Sequence, residues 1–539
     1  MKTSIKLLLG VAVCSATLTT TSCIDETEPT EMILQSQVDK SPNSINAMLM
    51  AMPARFNALD ARTLNFADYA IGYGGLMHVR DVQTEDLSVA QSNYDHFFAW
   101  ETVRGIGESY ATAQWLWNYE YESILSCNKL ITTVKALEKP SSSDLGALGA
   151  AYATRALWYL DLAREYEFLP NEAFPDGKNN DGNKVEGYTV PIVTDTVTED
   201  MARNKPRATH EEMYKFILSD LDSAETYING LESTYDKTLP DLACVYGLKA
   251  RLYMWNEDYP NAYTYANKAI QQSGLSPLTF EDCYVTTQNG NQISIEGYQP
   301  TCFNDISKWM WGVKQTADNS TVTSGILNWT SWMTPEYTGG YAGAGACSRI
   351  YIPLYNRIAA NDWRKFLWDA SDLVNPGISH KFQPNEGNTT TSTIACATSY
   401  PIMRVEEMYF IQMEAAAHQN PSVGKQLLET FMNTYRVLDE SYKCNATSMD
   451  DVIEEIIFQK RIELWGEGQT FFDIKRLNYS VDRTKDGSNF YSTAKFKTTG
   501  RPGWMNWVIV QSEQNNNKAL VGWNNPDPQS FYSPELGEE

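Results

Sequence analysis

Between Leu145 and Tyr166 an apolar or aromatic residue returns at every third or fourth position: Leu145, Leu148, Tyr152, Ala156, Tyr159, Ala163 and Tyr166. An α-helix repeats every 3.6 residues, so these side chains form one stripe about six turns long. A stripe of that length has to be covered by another helix. The same period returns further along. Thr209 and Glu212 have the spacing of a capping box ahead of Met213, Phe216, Ile217, Leu221, Ala224 and Ile228. Ala243, Tyr246, Ala250 and Tyr253 follow, and Pro260 then opens a helix carrying Ala262, Ala266 and Ala269.

Residues 241–272 therefore read as a tetratricopeptide-like helix-turn-helix, with Lys249 where that repeat prefers Leu. Further helices are expected over 112–136, 404–419, 421–436 and 449–465. Asn420 caps the third of these ahead of Pro421, and Ser448 with Asp451 caps the fourth. Stacked helix pairs give the expected fold class: mostly α, a tetratricopeptide-like solenoid scaffold. Two stretches break the pattern. Residues 168–208 are rich in Pro, Gly, Asn and Asp and read as loop. Residues 273–400 mix short β-prone runs with Gly, Asn, Thr and aromatics, a long, irregular, partly β insertion of the kind that carries binding residues.

The N-terminus sets the compartment. Lys2 and Lys6 precede the apolar run Leu7–Val13, and small residues lead to Thr21-Ser22-Cys23. This is a secretory signal, too short to span a bilayer. Small residues running into a cysteine resemble a lipoprotein signal, which implies cleavage before Cys23 and acylation of Cys23. The acidic Asp25-Glu26-Thr27-Glu28 that follows resembles a signal for the outer face of the outer membrane. A net charge of −24 repels phosphate backbones and argues against nucleic acid as a partner. Beyond Cys14 and Cys23, seven cysteines remain, without CxxC or zinc-ligand spacing. They read mainly as small buried residues, with one or two disulfides and at least one free thiol.

Six segments in order carry a family resemblance. They are Tyr121-Glu122-Ser123-Ile124 with Cys127-Asn128-Lys129-Leu130-Ile131; Ala156–Leu162; Arg207-Ala208-Thr209 with Tyr214, Ile217 and Asp220-Leu221; Ile402–Tyr409 with Glu414-Ala415; Gln459–Leu464 with Gly466-Glu467-Gly468 and Phe471–Arg476; and Val510-Gln511-Ser512-Glu513 with Asn517. Together they resemble the SusD/RagB family along nearly the whole mature chain. The last segment lacks the Pro usual at its start. The resemblance implies a cell-surface lipoprotein of the outer membrane that binds oligosaccharides without cleaving them. It further implies delivery of the glycan to a TonB-dependent, SusC-like transporter, with no cofactor and no metal. The chain then divides into a lipoprotein signal (1–22), an acidic tether (23–40) and an N-terminal helical part with tetratricopeptide-like hairpins (41–272). A loop-rich ligand-binding insertion (273–400) and a C-terminal helical part that closes the scaffold (401–539) complete it.

The five His show no HExxH or similar spacing, and no GxSxG or P-loop stands in a convincing context. Glu463 and Glu467 share a helix face, but they sit among Arg461, Lys475 and Arg476, where ion pairing is the expected role. A retaining glycosidase would need two carboxyls about 5–5.5 Å apart, one of raised pKa. With 15 Trp and 31 Tyr, stacking platforms for sugar rings are the more natural reading. The expected ligand-binding residues are Arg80, Tyr94 and Trp100 from the early loop and Trp311, Trp329, Trp332, Tyr337 and Tyr341 from the insertion. Trp158, Trp255 and Trp465 lie on helix stripes and are expected in the core. The alternatives are a peptide-binding, RagB-like subunit and a glycoside hydrolase.

Overall fold

Helices form where the apolar period is 3.6 and begin where a capping residue stands ready. In the computed structural model, which describes residues 43–60, 68–91, 96–289, 292–298, 302–439 and 441–533, eleven helices matter for the argument. They are α1 (Ser44–Phe56), α2 (Tyr73–Val82), α3 (Ala111–Lys135), α4 (Ser142–Tyr166), α5 (His210–Tyr227), α6 (Leu242–Trp255), α7 (Tyr259–Ser273), α8 (Val405–Gln419), α9 (Pro421–Tyr435), α10 (Met449–Glu463) and α11 (Thr470–Arg476). The expected signal, the tether, Cys23 and Tyr94 lie outside the described residues.

The caps follow the sequence reading. Thr209 Oγ accepts from the Glu212 backbone N–H at 3.3 Å, and the Glu212 carboxylate accepts from the Thr209 N–H at 2.8 Å. Asn420 accepts from Ser422 N–H and Ser448 from Asp451 N–H, both at 3.1 Å. Each such cap contributes about 1 kcal/mol. A box that the reading did not anticipate, Ser141 with Asp144, starts α4 ahead of its stripe.

Helices α3 to α8 each pack on the next, and α9 and α10 both pack on α8. Small residues set the spacing: Ala262, Ala266 and Ala269 of α7 and Ala415 and Ala417 of α8 are fully buried. At Gly424 in α9 a Cβ would fall 2.5 Å from that of Ala417, so only glycine allows this crossing. Lys249, the residue out of pattern in the α6–α7 pair, extends to Asp222 at 2.7 Å and to Glu225, tying α6 to α5. Arg251 closes the next joint with a two-pronged bond to Glu407 of α8, at 2.7 and 2.6 Å.

Between α7 and α8 the chain is more ordered than the expected irregular insertion. Strands β2 (Tyr284–Asn289) and β3 (Gln292–Tyr298) form a hairpin. Strand β4 (Trp311–Lys314) pairs antiparallel with β8 (Ser399–Met403) at the far end of the insertion. Between them β5 (Ser348–Ile350), β6 (Trp368–Asp369) and β7 (Ile378–Ser379) join β1 (Leu87–Val89) in one sheet of order β1-β5-β7-β6. The pairing of β1 with β5 brings the early segment and the insertion together. Residues Ile45–Glu539 form one compact unit.

Cys127, Cys244, Cys347, Cys396 and Cys444 are free and buried, whereas Cys283 is disulfide-bonded. Among the described residues no helix is long and apolar enough to cross a membrane.

Candidate functional site

The two segments expected to bind ligand do meet, but most of their aromatic rings face inward. Trp100, Trp311, Trp329 and Trp332 are at most 2% exposed, which corrects the expectation of indoles with one open face. Each indole is sealed by contacts the local sequence does not announce. Trp100 donates to the Gly105 carbonyl at 3.2 Å, Trp311 to Thr238 at 3.0 Å and Trp332 to Asp68 at 3.2 Å. Trp329 packs edge-on to Phe382 at 4.5 Å and lies against Gly74, where a Cβ would fall 2.7 Å from its ring. Tyr337 is also buried, with its hydroxyl donating to Gly325 O at 2.8 Å. Burying an indole removes some 150–250 Å² from water, so core packing wins wherever a partner surface exists. Trp158, Trp255 and Trp465 are buried as expected.

Arg80 requires the same correction. It is fully buried on α2, donating to Glu165 at 2.7 Å and Asp161 at 2.9 Å. Burial raises the Glu165 carboxyl to about 7, even though Arg80 opposes it. Asp161 is buried too, but Arg80 and Arg164 outweigh that and hold it at about 2. Glu120, beside them on α3, is pushed well above the usual range by burial and by Glu165. The Arg80, Asp161 and Glu165 side chains are all shut off from solvent.

What remains at the surface is Tyr341, half-buried on the glycine-rich loop 339–345. Its ring stacks on Trp332 with centroids 4.0 Å apart and planes within 11°. Trp332 is held in turn by Phe97, edge-on at 4.9 Å, with His78 behind Phe97 at 4.3 Å. Burial lowers the His78 pKa to about 3, so it backs the stack as a neutral ring. Beside this platform, Asp68 accepts from the backbone N–H of His96 at 3.2 Å and meets its Nδ1 at 2.5 Å. The His96 side chain is about half exposed (48%). Tyr341 was expected from the sequence; the Asp68–His96 pair was not, and nothing in its spacing marks it. The arrangement offers a rigid aromatic surface with hydrogen-bonding groups at its edge, the pairing a sugar ring needs for its C–H face and its hydroxyls.

A second opening, about 380 Å³, lies between α3 and the C-terminal segment. Trp117 and Tyr121 form one wall with ring centroids 4.6 Å apart, and Asn118, Glu513 and Asn517 add polar groups. The four-residue spacing of Trp117 and Tyr121 is the signal that could have found it.

Glu463 and Glu467 are ion-paired as expected, but with other partners. Glu463 receives Arg364 and Arg404 at 3.2 Å and Arg436 at 2.7 Å. Glu467 receives Lys381 at 2.7 Å and Arg404 at 2.9 Å. Burial alone would raise the Glu463 carboxyl, yet the three guanidiniums hold it far below the carboxylate range. Arg461 instead binds Glu85 and Asp86, Arg476 binds Glu414 and Asp473, and Lys475 donates to a backbone carbonyl. Among the described residues no group of three His, Cys, Asp or Glu side chains is placed to hold a metal ion.

A family model described as starch-binding, associating with the outer membrane, matches residues 39–254, and the SusD family model matches residues 376–532. Among solved structures, a SusD-like carbohydrate binding protein from Bacteroides vulgatus is 21% identical, with a TM-score of 0.69, covering 92% of this chain and 98% of its own. A SusD superfamily protein from Bacteroides thetaiotaomicron is 18% identical, with a TM-score of 0.66 and coverages of 89% and 99%. Surface glycan-binding protein A from the same organism, solved in complex with laminarihexaose, is 14% identical, with a TM-score of 0.59 and coverages of 90% and 99%. Among curated proteins no relative matches this chain.

Proposed function

Because the chain belongs to the SusD/RagB family, we propose that it captures oligosaccharides at the cell surface without cleaving them and passes them to a TonB-dependent, SusC-like transporter. Acyl chains on Cys23 anchor it to the outer membrane. The observation that carries the binding role is Tyr341, a surface ring stacked on a buried Trp332, whose indole N–H bonds the carbonyl of Asp68, the partner of the half-exposed His96. Ordering a ligand against a platform that is already rigid costs less entropy than ordering both partners. The absence of cleavage is supported by the state of the carboxyls. A glycosidase needs a general acid of raised pKa beside the scissile bond. Glu463 and Glu467 face guanidinium and ammonium groups, and the raised carboxyls Glu101, Glu120 and Glu165 are fully buried, while Glu513, raised by burial at the α3 opening, is bonded by the Asn517 side chain.

The test pairs Tyr341→Ala with Trp332→Ala on the oligosaccharide that a glycan and peptide array selects for the mature protein. By analogy with stacking of bases on aromatic rings, loss of the platform removes about 1–3 kcal/mol of binding. That is roughly ten- to a hundred-fold in affinity. The melting point of Tyr341→Ala stays near wild type, whereas Trp332→Ala loses about 3–5 kcal/mol of stability. Unchanged affinity in folded Tyr341→Ala, selection of peptides but not glycans, or sugar release proportional to protein added would each sink the proposal. The anchor is tested separately. Cys23→Ala releases the protein into the soluble fraction, and wild type that takes up no palmitate analogue would refute lipidation.

A further inference from the structure

A cavity of about 290 Å³ opens where the C-terminal ends of α4 and α6 meet α11, and shares no residue with the Tyr341 platform. Its walls are unusual for a chain of net charge −24: Arg164, Lys475, Arg476 and Arg501 converge on it. The carboxylates lining it do not balance them. Glu167 is occupied on both oxygens, by His210 Nδ1 at 2.7 Å and by the Trp255 indole N–H at 2.8 Å, and Glu257 stands at the exposed rim.

Only Arg476 is fully neutralised, by Glu414 at 2.6 Å and Asp473 at 2.7 Å. Lys475 is 2% exposed, and its one bond runs to the backbone carbonyl of Glu165 at 2.6 Å; it forms no ion pair with any described residue. Arg501 bonds Asn478 at 3.1 Å and the Lys475 carbonyl at 2.7 Å, and it also forms no ion pair. Arg164 lies flat over Phe472 at 3.6 Å and gives one terminal nitrogen to Asp161 at 2.5 Å. Its other terminal nitrogen has no hydrogen-bond acceptor among the described residues. Buried charges are ordinarily paired, because an ammonium withdrawn from water costs several kcal/mol without a counter-charge. Burial lowers the Lys475 pKa to about 7, with Glu167 and Glu165 opposing the shift and Arg501 and Arg207 reinforcing it.

The aromatic wall narrows what the cavity can hold. Phe472 is covered by Arg164, and Trp255 gives the cavity an apolar wall, which a bare oxyanion would not use. The volume lies at the lower edge of the range for small-molecule sites, enough for one small ring and too little for a chain of them. We propose that this cavity binds a single small carboxylate-bearing ring, such as a sugar acid, with Lys475, Arg501 and Arg164 as its counter-ions and Trp255 as the wall beside the ring. The site is independent of the oligosaccharide platform.

The experiment is calorimetry on the mature protein with glucuronate, galacturonate, inorganic sulfate and neutral glucose. The variants are Arg501→Gln at the half-buried rim, Lys475→Met, which keeps the stem and removes the charge, and Tyr341→Ala as the control at the other face. One of the sugar acids is expected to bind one-to-one, with glucose silent. The affinity falls at least tenfold in Arg501→Gln and is unchanged in Tyr341→Ala. Bound acid also raises the melting point of wild type but not of Arg501→Gln, a readout that holds even where Lys475→Met does not fold. Absence of sugar-acid binding at millimolar concentration, binding of sulfate alone, or equal affinity in wild type and Arg501→Gln would overturn the proposal. Loss of binding in Tyr341→Ala would overturn it as well, by moving the ligand to the platform.

Discussion

Two buried clusters in this protein use the same residue types in different balance. Around Glu463, the guanidiniums of Arg364, Arg404 and Arg436 share one carboxylate, and Asp362, Glu406 and Glu467 complete their pairing. Around Arg80, Asp161 and Glu165 share one guanidinium, Arg164 adds a second to Asp161, and Glu120 stands alongside as a surplus carboxyl. The first cluster joins the insertion to α8, α9 and α10, and the second joins α2 to α3 and α4. The difference teaches which losses each can absorb. A surplus carboxyl can take up a proton and become neutral, whereas a surplus guanidinium stays charged at any physiological pH. Loss of a carboxyl from the fully paired cluster around Glu463 is therefore costly, whereas the carboxyl-rich cluster around Arg80 is adaptable.

Three experiments bear on this contrast. Glu463→Ala removes the carboxylate that three buried guanidiniums share, leaving them Asp362, Glu406 and Glu467, and is expected to cost about 3–5 kcal/mol, read by denaturant unfolding. Stability within 1 kcal/mol of wild type would break the comparison. Arg80→Met leaves carboxyls that can protonate, and Arg164 still pairs with Asp161 at 2.5 Å. Its loss is expected to be smaller, on the order of 1–3 kcal/mol, and to shrink as the pH is lowered toward 5. An equal or larger loss than in Glu463→Ala would reverse the ranking.

The smallest effect is in the pH profile of the wild type. Glu165, raised to about 7, binds a proton more tightly folded than unfolded. Its stabilising contribution is full below about 4.5 and is lost as the pH rises through about 7. Asp161 and Glu414, held at about 2, act in the other direction: their contribution is full above the ordinary carboxylate range and is lost as the pH falls toward 2. Glu120, itself pushed well above the usual range, adds to the same decline as Glu165, and Glu120→Gln, which cannot titrate, is expected to flatten it. A slope identical to that of wild type would remove Glu120 from the cluster.

The sequence reading succeeded where cause and effect lie within one helical turn. Thr209 with Glu212, Asn420 with Pro421 and Ser448 with Asp451 each start the helix expected of them, and Trp158 and Trp465 sit in the core their stripes indicate. It failed where burial is decided across the chain. Trp332 is closed in by Asp68, 264 residues away in sequence, and Glu463 is paired by Arg364, 99 residues away. An insertion without a steady period gives no face to assign, so its indoles looked equally suited to core and surface. Tyr341 differs only in standing on a glycine-rich loop, and that local feature was legible.

The pairing of β4 with β8 means that the insertion leaves and re-enters the scaffold at neighbouring points, closing residues 315–398 into a lobe. A lobe closed in this way can in principle lengthen or change its ligand preference at little entropic cost to the helices beneath. Here it is not free to do so alone, because β5 hydrogen-bonds to β1 and Trp332 to Asp68. Under the proposed binding role, a change of specificity thus involves two separated stretches that change together, the one around β1 and residues 315–398. A chimera that exchanges one without the other inherits a mismatched seam rather than a new appetite.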